Sequence, residues 1–519
     1  MAEIDRRTIE EVGISGPVLM ERAGLKASEK ADAILEQIKG SKVVILAGKG
    51  NNGGDGFVMA RLLEREGYDV ETYLIGEKAE IKGDARKNLD ILAKLELPVK
   101  EIKTKAQLKD LNSSCQTADL IIDALLGTGI KGEPRGLFAP VIDMINQAKA
   151  ITLAVDIPSG VEADTANVAA QAVKADYTVS FALPKLGLLL YPGADYTGQL
   201  EVVDIGISSQ VITEFKAELI TKEMAAGLLP KRKANTHKGD YGNLLLLAAS
   251  QGMTGAASLS AKSALRMGVG LLTVGVPESL NHILETKLTE AMTYPLADKD
   301  GRFSAKAVAE IEEIAAQRDV IAFGPGLSSG EAIREIVRKL LTLELPLVID
   351  ADGLNALDNL ELLRKRKSKT ILTPHPGEFS RLTGLELEMI KKNPIKHAKE
   401  FAKKYQVVLI LKDARSIIAT PDEKLYLNQT GNSGLATGGS GDVLTGMVAS
   451  LLAQGLKAEA AAVLGVYLHG LTADIASQKL TTYSLLPGDL IEYLSEAIKL
   501  IDNYQLKTKK TETNLIKSR

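Results

Sequence analysis

Cysteine occurs once in the 519 residues, at Cys115, and tryptophan not at all. A lone cysteine excludes an intramolecular disulfide and a cysteine zinc cluster, and it suits a reducing compartment, read here as the cytoplasm. Aromatic residues make up only 4%, so stacking platforms for single-stranded nucleic acid are not expected. Excess charge is also lacking: 63 Lys+Arg against 66 Asp+Glu leaves −3, which gives no global attraction to nucleic acid or an anionic membrane. No run approaches the roughly 18 apolar residues that span a bilayer, and the acidic, amphipathic start has no apolar signal core. What is present is an ordinary globular balance, 45% hydrophobic and 25% charged, over a length that suits two or three domains. Small-molecule partners are expected.

From about residue 40 to 205, short β-branched runs alternate with longer amphipathic stretches: Lys42–Ala47, Tyr68–Ile75, Leu120–Asp123, Ile151–Asp156, Tyr177–Phe181 and Leu200–Asp204. Such alternation predicts a parallel sheet with crossover helices, whose ligand crevice lies at the carboxyl ends of the strands. Strand signals lapse between about 206 and 240. A second series follows at Asn243–Ala248, Leu271–Val276, Val320–Phe323, Leu347–Asp350, Thr370–Thr373 and Val407–Leu411, then a helical pattern from 441. The fold class is therefore α/β, with two domains in series, 1–218 and 219–505, and a polar tail over 506–519 expected to fray.

After the first run comes Gly48-Lys-Gly50-Asn51-Asn52-Gly53-Gly54-Asp55-Gly56, then helical periodicity from Phe57. Glycines allow a tight turn and bring amides near an anion, and Gly48, Gly50 and Gly53 satisfy a dinucleotide-binding pattern, so a dehydrogenase enters consideration. Two carboxamides and a carboxylate are more polar than a pyrophosphate loop requires; they suit ligand hydroxyls or a hard cation. Asp123 and Ser159, after later strands, could converge with Asn52.

These residues, with Asp123-Ala-Leu-Leu-Gly-Thr-Gly129 and Val155-Asp-Ile-Pro-Ser-Gly160, resemble the NAD(P)H-hydrate epimerases, which have a Rossmann-like fold without hydride transfer. By that resemblance Asn51, Asn52, Gly53, Gly54 and Asp55, together with Gly127, Thr128, Gly129, Ile130, Lys131, Gly132 and Glu133, would hold the substrate. Asp156 would bind and deprotonate it, and Asn52, Asp123 and Ser159 would coordinate K⁺.

The second series carries Thr430-Gly-Asn-Ser-Gly-Leu-Ala-Thr-Gly438-Gly-Ser-Gly441-Asp442 directly before a long apolar helix. Amides at that helix start suit a transferring phosphoryl group, with Asp442 beside it as a general base. Together with Phe323-Gly-Pro-Gly326, Thr373-Pro-His375-Pro-Gly-Glu378 and Lys412-Asp-Ala-Arg-Ser416, this stretch resembles the NAD(P)H-hydrate dehydratases, a ribokinase-like fold.

The resemblance implies that Ala256, Gly326, His375 and Asp442 contact the hydrate, and that Lys412, Asp413, Ala414, Arg415, Ser416 and Gly441 bind the adenine nucleotide. It further implies ADP as phosphoryl donor with Mg²⁺, NADHX and NADPHX as substrates, and a homo-oligomer. Asp413 and Ser416 depart from the family's usual Lys-Gly-x-x-Thr, which leaves ADP against ATP open. Two other readings stand beside this one: a ribokinase-like small-molecule kinase fused to a ligand-binding domain, and a non-catalytic nucleotide sensor.

Overall fold

Val43, Ile45 and Ala47 of the first strand face one apolar core, while Val44 and Leu46 face another. A strand buried on both faces reads as a continuous apolar run, which is why Lys42–Ala47 is so legible in the sequence. The computed structural model describes the backbone of residues 1–212 and 217–517, with side chains through 505 except that of Ala2. Its contacts divide the chain into two compact units, Met1–Phe215 and Lys216–Arg519.

In the first unit β1 (Lys42–Ala47), β2 (Asp69–Ile75), β3 (Val99–Ile102), β4 (Leu120–Ala124), β5 (Ile151–Val155), β6 (Tyr177–Phe181) and β7 (Gln199–Val203) form one sheet, ordered β3-β2-β1-β4-β5-β6-β7. All its pairings are parallel. The chain reverses its direction of winding between β1 and β4, and this switch opens a crevice at their carboxyl ends. The helices Gly16–Ile38 and Asn51–Arg65 cover one face through Ala23, Ala27, Ile34, Phe57 and Leu63. The other face carries Leu111, Cys115, Val141 and Ile145. Burial pushes the Cys115 thiol up to about 12, so it acts as a packing residue.

The second unit has β8 (Ala217–Leu219), β9 (Asn243–Leu247), β10 (Leu271–Pro277), β11 (Met292–Leu296), a small hairpin of β12 (Asp298–Lys299) and β13 (Arg302–Phe303), β14 (Val320–Phe323), β15 (Leu347–Ile349), β16 (Thr370–Leu372), β17 (Val408–Leu411), β18 (Ile417–Ala419) and β19 (Leu425–Leu427). Ten of these strands form a sheet ordered β11-β10-β9-β14-β15-β16-β17-β18-β19-β8. Its pairings are parallel except β17 with β18 and β18 with β19. β8 lies inside the stretch the sequence reads as strand-free; with three residues at the sheet edge, it is too short for periodicity to mark.

Two further expectations change. Ala458–Lys479, where no membrane-spanning run was expected, is a helix long and apolar enough to cross a membrane. Two-thirds of its window is buried in the fold, where it packs through Ala461, Leu464 and Leu468 as a core helix. The final helix, Pro487–Lys517, takes in residues of the polar tail expected after 505; 518 and 519 lie outside the described residues.

Candidate active sites

In the first unit the chain leaves β1 through only Gly48, Lys49 and Gly50 before the helix Asn51–Arg65 begins. Gly53 and Gly54 are thus helical rather than part of an extended loop. A Cβ at Gly53 would strike the Gly48 carbonyl, one at Gly48 the Leu125 carbonyl, and one at Gly54 the sulfur end of Met20. The glycines let the helix start lie directly against β1 and the loop after β4, which brings Asn52 and Asp55 to the crevice.

That crevice is a cleft of 590 Å³. Of the residues expected at the substrate, Asn51, Asn52, Asp55, Gly127, Thr128, Gly129, Ile130 and Asp156 line it, whereas Gly53, Gly54, Lys131, Gly132 and Glu133 are not among its lining residues. Gly132 donates instead to Glu162 Oε1 at 2.9 Å. Asp5, Lys49, Asp84 and Lys185, none expected as site residues, also face the cleft.

Asp156 follows β5 with φ of 65°, a left-handed conformation that only a few non-glycine residues adopt, Asp among them. Its Oδ1 accepts from Phe181 N at 3.0 Å and is ion-paired with the buried Lys185 ammonium. Lys185 also donates to Phe181 O at 2.9 Å and Ser180 Oγ at 3.0 Å, so each of its three N–H groups has an acceptor. A charged residue just beyond the carboxyl end of β6, in Ala182-Leu-Pro-Lys185, was the signal that could have found it. Asp55 is held well above the usual carboxylate range, first by burial and then by the neighbouring Asp156 charge. Asp5 is raised for the same two reasons, against the pull of the chain's amino terminus.

Asp123, Ser159 and Asn52 do converge, around the Leu126 peptide. Ser159 Oγ donates to Asp123 Oδ1 at 2.6 Å and accepts from Leu126 N at 2.9 Å, while Asn52 Nδ2 donates to Leu126 O at 3.2 Å. Asp123 is fully buried, receives further N–H bonds from Ser159 and Leu125, and makes no ion pair among the described residues. Burial raises it to about 6. An uncompensated buried carboxylate among carbonyl, carboxamide and hydroxyl oxygens is a donor set that fits a hard monovalent cation.

In the second unit Gly326, His375 and Lys412 follow β14, β16 and β17, and Ala256 lies in the helix Thr254–Met267 after β9. Gly326 packs so closely that a Cβ would lie 3.1 Å from Ala256 Cβ. Lys412, after β17, lies 2.7 Å from Asp350 Oδ1 and 3.9 Å from Glu378 Oε2. His375 caps the helix Pro376–Thr383: its Nδ1 accepts from Gly377 N at 3.0 Å, and its own N–H donates to Glu378 Oε2 at 2.9 Å. The imidazole is half exposed, with its Nε2 3.6 Å from Glu378 Oε1.

Asp442 stands in the first turn of the helix Ser440–Ala453. Burial, then the Asp350 charge, raise its carboxyl to about 7. A Cβ at Gly441 would come 3.3 Å from Lys412 Nζ, so glycine leaves open the approach to that ammonium. Of the six residues expected at the nucleotide, Lys412 and Gly441 face this cluster; Asp413 is exposed, with its carboxylate accepting from Ala414 N at 2.8 Å, and Arg415 donates to Gln429 O at 2.6 Å. Ser416 Oγ lies 3.5 Å from Asp413 O. Asp350, Asp352 and Glu378, whose charges act on Asp442, were not foreseen; no three such groups among the described residues form a metal site by themselves, and Mg²⁺ binds through one or two carboxylates together with substrate phosphates.

A bifunctional NAD(P)H-hydrate repair enzyme of Moorella thermoacetica is 43% identical over 508 residues, covering 97% of this chain and 96% of that one. The chain belongs to the bifunctional NAD(P)H-hydrate repair enzyme family. The Escherichia coli K12 protein of the same description is 31% identical over 95% of this chain and 92% of its own. The NAD(P)H-hydrate dehydratase family model matches residues 244–496, and that of the YjeF-related protein N-terminus matches 16–187. Among solved structures, the ADP/ATP-dependent NAD(P)H-hydrate dehydratase from Bacillus subtilis, co-crystallised with ATP and Mg²⁺, aligns with TM-score 0.50 and 37% identity over 55% of this chain and 98% of that one. The α/β fold of the second unit is therefore that of a dehydratase of this family, and a repair enzyme of this kind acts as both isomerase and lyase.

Proposed function

We propose that the first domain, 1–218, interconverts the R and S forms of NADHX and NADPHX, and that the second, 219–505, returns the S form to NADH or NADPH at the expense of ADP, giving AMP and phosphate. The observation that carries this reading is the pair of carboxylate sites, Asp156 and Asp442, each at the carboxyl ends of its own sheet in a chain similar over its full length to bifunctional repair enzymes.

In the first cleft Asn51, Asn52 and the 127–130 loop orient the hydrated ring, and Asp156 relays its protons. Asn52, Asp123 and Ser159 would hold K⁺, which supplies fixed positive charge next to the substrate loop. In the second site Ala256, Gly326 and the half-exposed His375 position the hydrate so that Asp442 takes the proton of its C6 hydroxyl. Lys412 and Gly441 face the phosphates, while Asp413 to Ser416 flank the nucleotide. Mg²⁺, when bound, neutralises charge on the transferring phosphoryl group. Phosphorylation turns a poor leaving group into a good one, so elimination of phosphate restores the ring. The lone, buried Cys115 suits a cytoplasmic setting.

The test is incubation of hydrated NADH with the full chain and ADP. Free phosphate, AMP and regained absorbance of the reduced ring are expected; a stable phosphorylated product would mean a small-molecule kinase instead, and neither outcome a sensor.

A further inference from the structure

Four carboxyls line the epimerase cleft, and among the described residues two of them have a cation: Asp84 pairs with Lys87 at 2.9 Å and Asp156 with Lys185. Asp156 has the Lys185 ammonium on its Oδ1. That ammonium is saturated by Asp156, Phe181 O and Ser180 Oγ, so it has no N–H left for a second carboxylate. Asp55, 8% exposed and lining the same cleft, makes no ion pair among the described residues. The two residues reach the cleft from opposite sides of β4: Asp55 from the helix after β1, Asp156 from the end of β5. The charged residues that line the cleft with Asp55 are Asp5, Lys49, Asp84, Asp156 and Lys185, together with the amino-terminal Met1; of these Asp156, Lys185 and Asp5 act on its carboxyl.

We propose that Asp55 is a catalytic proton donor that works opposite Asp156 in the epimerisation, one carboxyl serving each face of the hydrated ring. This assignment rests on the epimerase reading above and adds a second catalytic group to it. Unlike environments divide the roles of base and acid between two neighbouring carboxyls. Here Asp156 has an ammonium of its own, whereas Asp55 is buried without one, its carboxyl pushed up by burial and by the Asp156 charge.

The step balances with water alone. As the C6–O bond breaks, its electron pair leaves with oxygen, Asp55 gives its proton, and water departs; the lone pair on ring nitrogen forms the C=N bond. Water then adds to C6 from the other face, and Asp156 takes its proton. The pair is left with the proton exchanged, ready for the opposite conversion, so neither oxidant nor metal-bound nucleophile is required.

The experiment follows interconversion of one purified NADHX epimer by the full chain, without ADP, from about pH 6 to about pH 9. Wild type should lose kcat at the alkaline end, where Asp55 gives up its proton. Asp55→Asn should lower kcat about 10²–10⁴-fold with KM nearly unchanged and with no alkaline limb. Asp55→Glu should restore part of kcat together with the limb. A pH-independent wild-type kcat overturns the proposal without recourse to any variant, and so does an Asp55→Asn enzyme within threefold of wild type. Absence of interconversion in wild type would overturn the epimerase reading itself, an outcome distinct from either of these.

Discussion

The Lys412 ammonium lies 2.7 Å from Oδ1 of Asp350, a carboxylate only 1% exposed whose Oδ2 accepts from Thr445 Oγ1 at 2.6 Å. This pair ties the end of β17 to the end of β15 beneath the first turn that carries Asp442. Removing one partner of a buried pair strands the other, at a cost of about 3–5 kcal/mol. Lys412→Met should therefore lower the melting temperature of the second unit by several degrees in calorimetry and weaken ADP binding. A variant that melts and binds ADP like wild type would remove Lys412 from both roles.

Asp442 serves as a base only when ionised, and its carboxyl is raised to about 7. Dehydration should accordingly rise with pH through about 7 and level off above it. Asp442→Asn should lose dehydratase turnover about 10²–10⁴-fold while interconversion of the epimers persists. Phosphate release measured across pH checks both; near-normal turnover in the variant would remove the assigned role.

The cation reading of the Asp123 cluster predicts that K⁺ supports epimerisation better than Li⁺ at matched ionic strength. Asp123→Ala should lose that preference with most of the activity, because the only charged oxygen donor of the set is gone. Equal rates in both salts with an active Asp123→Ala enzyme would contradict the assignment.

His469 is buried in the helix Ala458–Lys479, with its Nε2 donating to Ser440 O at 2.9 Å, and burial lowers it to about 4. Unfolded histidine takes a proton near 6.5, so the native state binds fewer protons below that pH. This histidine adds no penalty above about pH 6.5; stability falls as pH drops toward 4, by about 3 kcal/mol in all. Melting curves of wild type and His469→Gln should show the steeper acid loss in wild type. Parallel curves would mean the histidine is already charged in the fold.

The central strands could be read in the sequence because burial on both faces makes them unbroken apolar runs, as in Lys42–Ala47 and Asn243–Leu247. β3, with the pattern Val-Lys-Glu-Ile, and β11, with Pro295, could not: both are edge strands that present polar groups or lack a donor. β18 and β19 are three residues each, too short for a period. At the first site, the glycine motifs marked Asp55, and the motif after β5 marked Asp156, both of which line the cleft. Asp350 was missed because its role is set by which strand ends become neighbours, a property of the sheet order rather than of local sequence, and Asp5 because it reaches the cleft from the helix Ala2–Arg7, outside the strand series. The role of Gly53 and Gly54 also changed, from exposing amides to permitting helix contact.

The most direct measurement uses an equal mixture of the two NADHX epimers with the full chain, ADP and Mg²⁺, followed by absorbance of the reduced nicotinamide. One chain holding both activities should return the whole mixture to NADH, with AMP and phosphate formed in equal amounts. Recovery that halts once the S form is consumed, or a phosphorylated hydrate that persists, would contradict it.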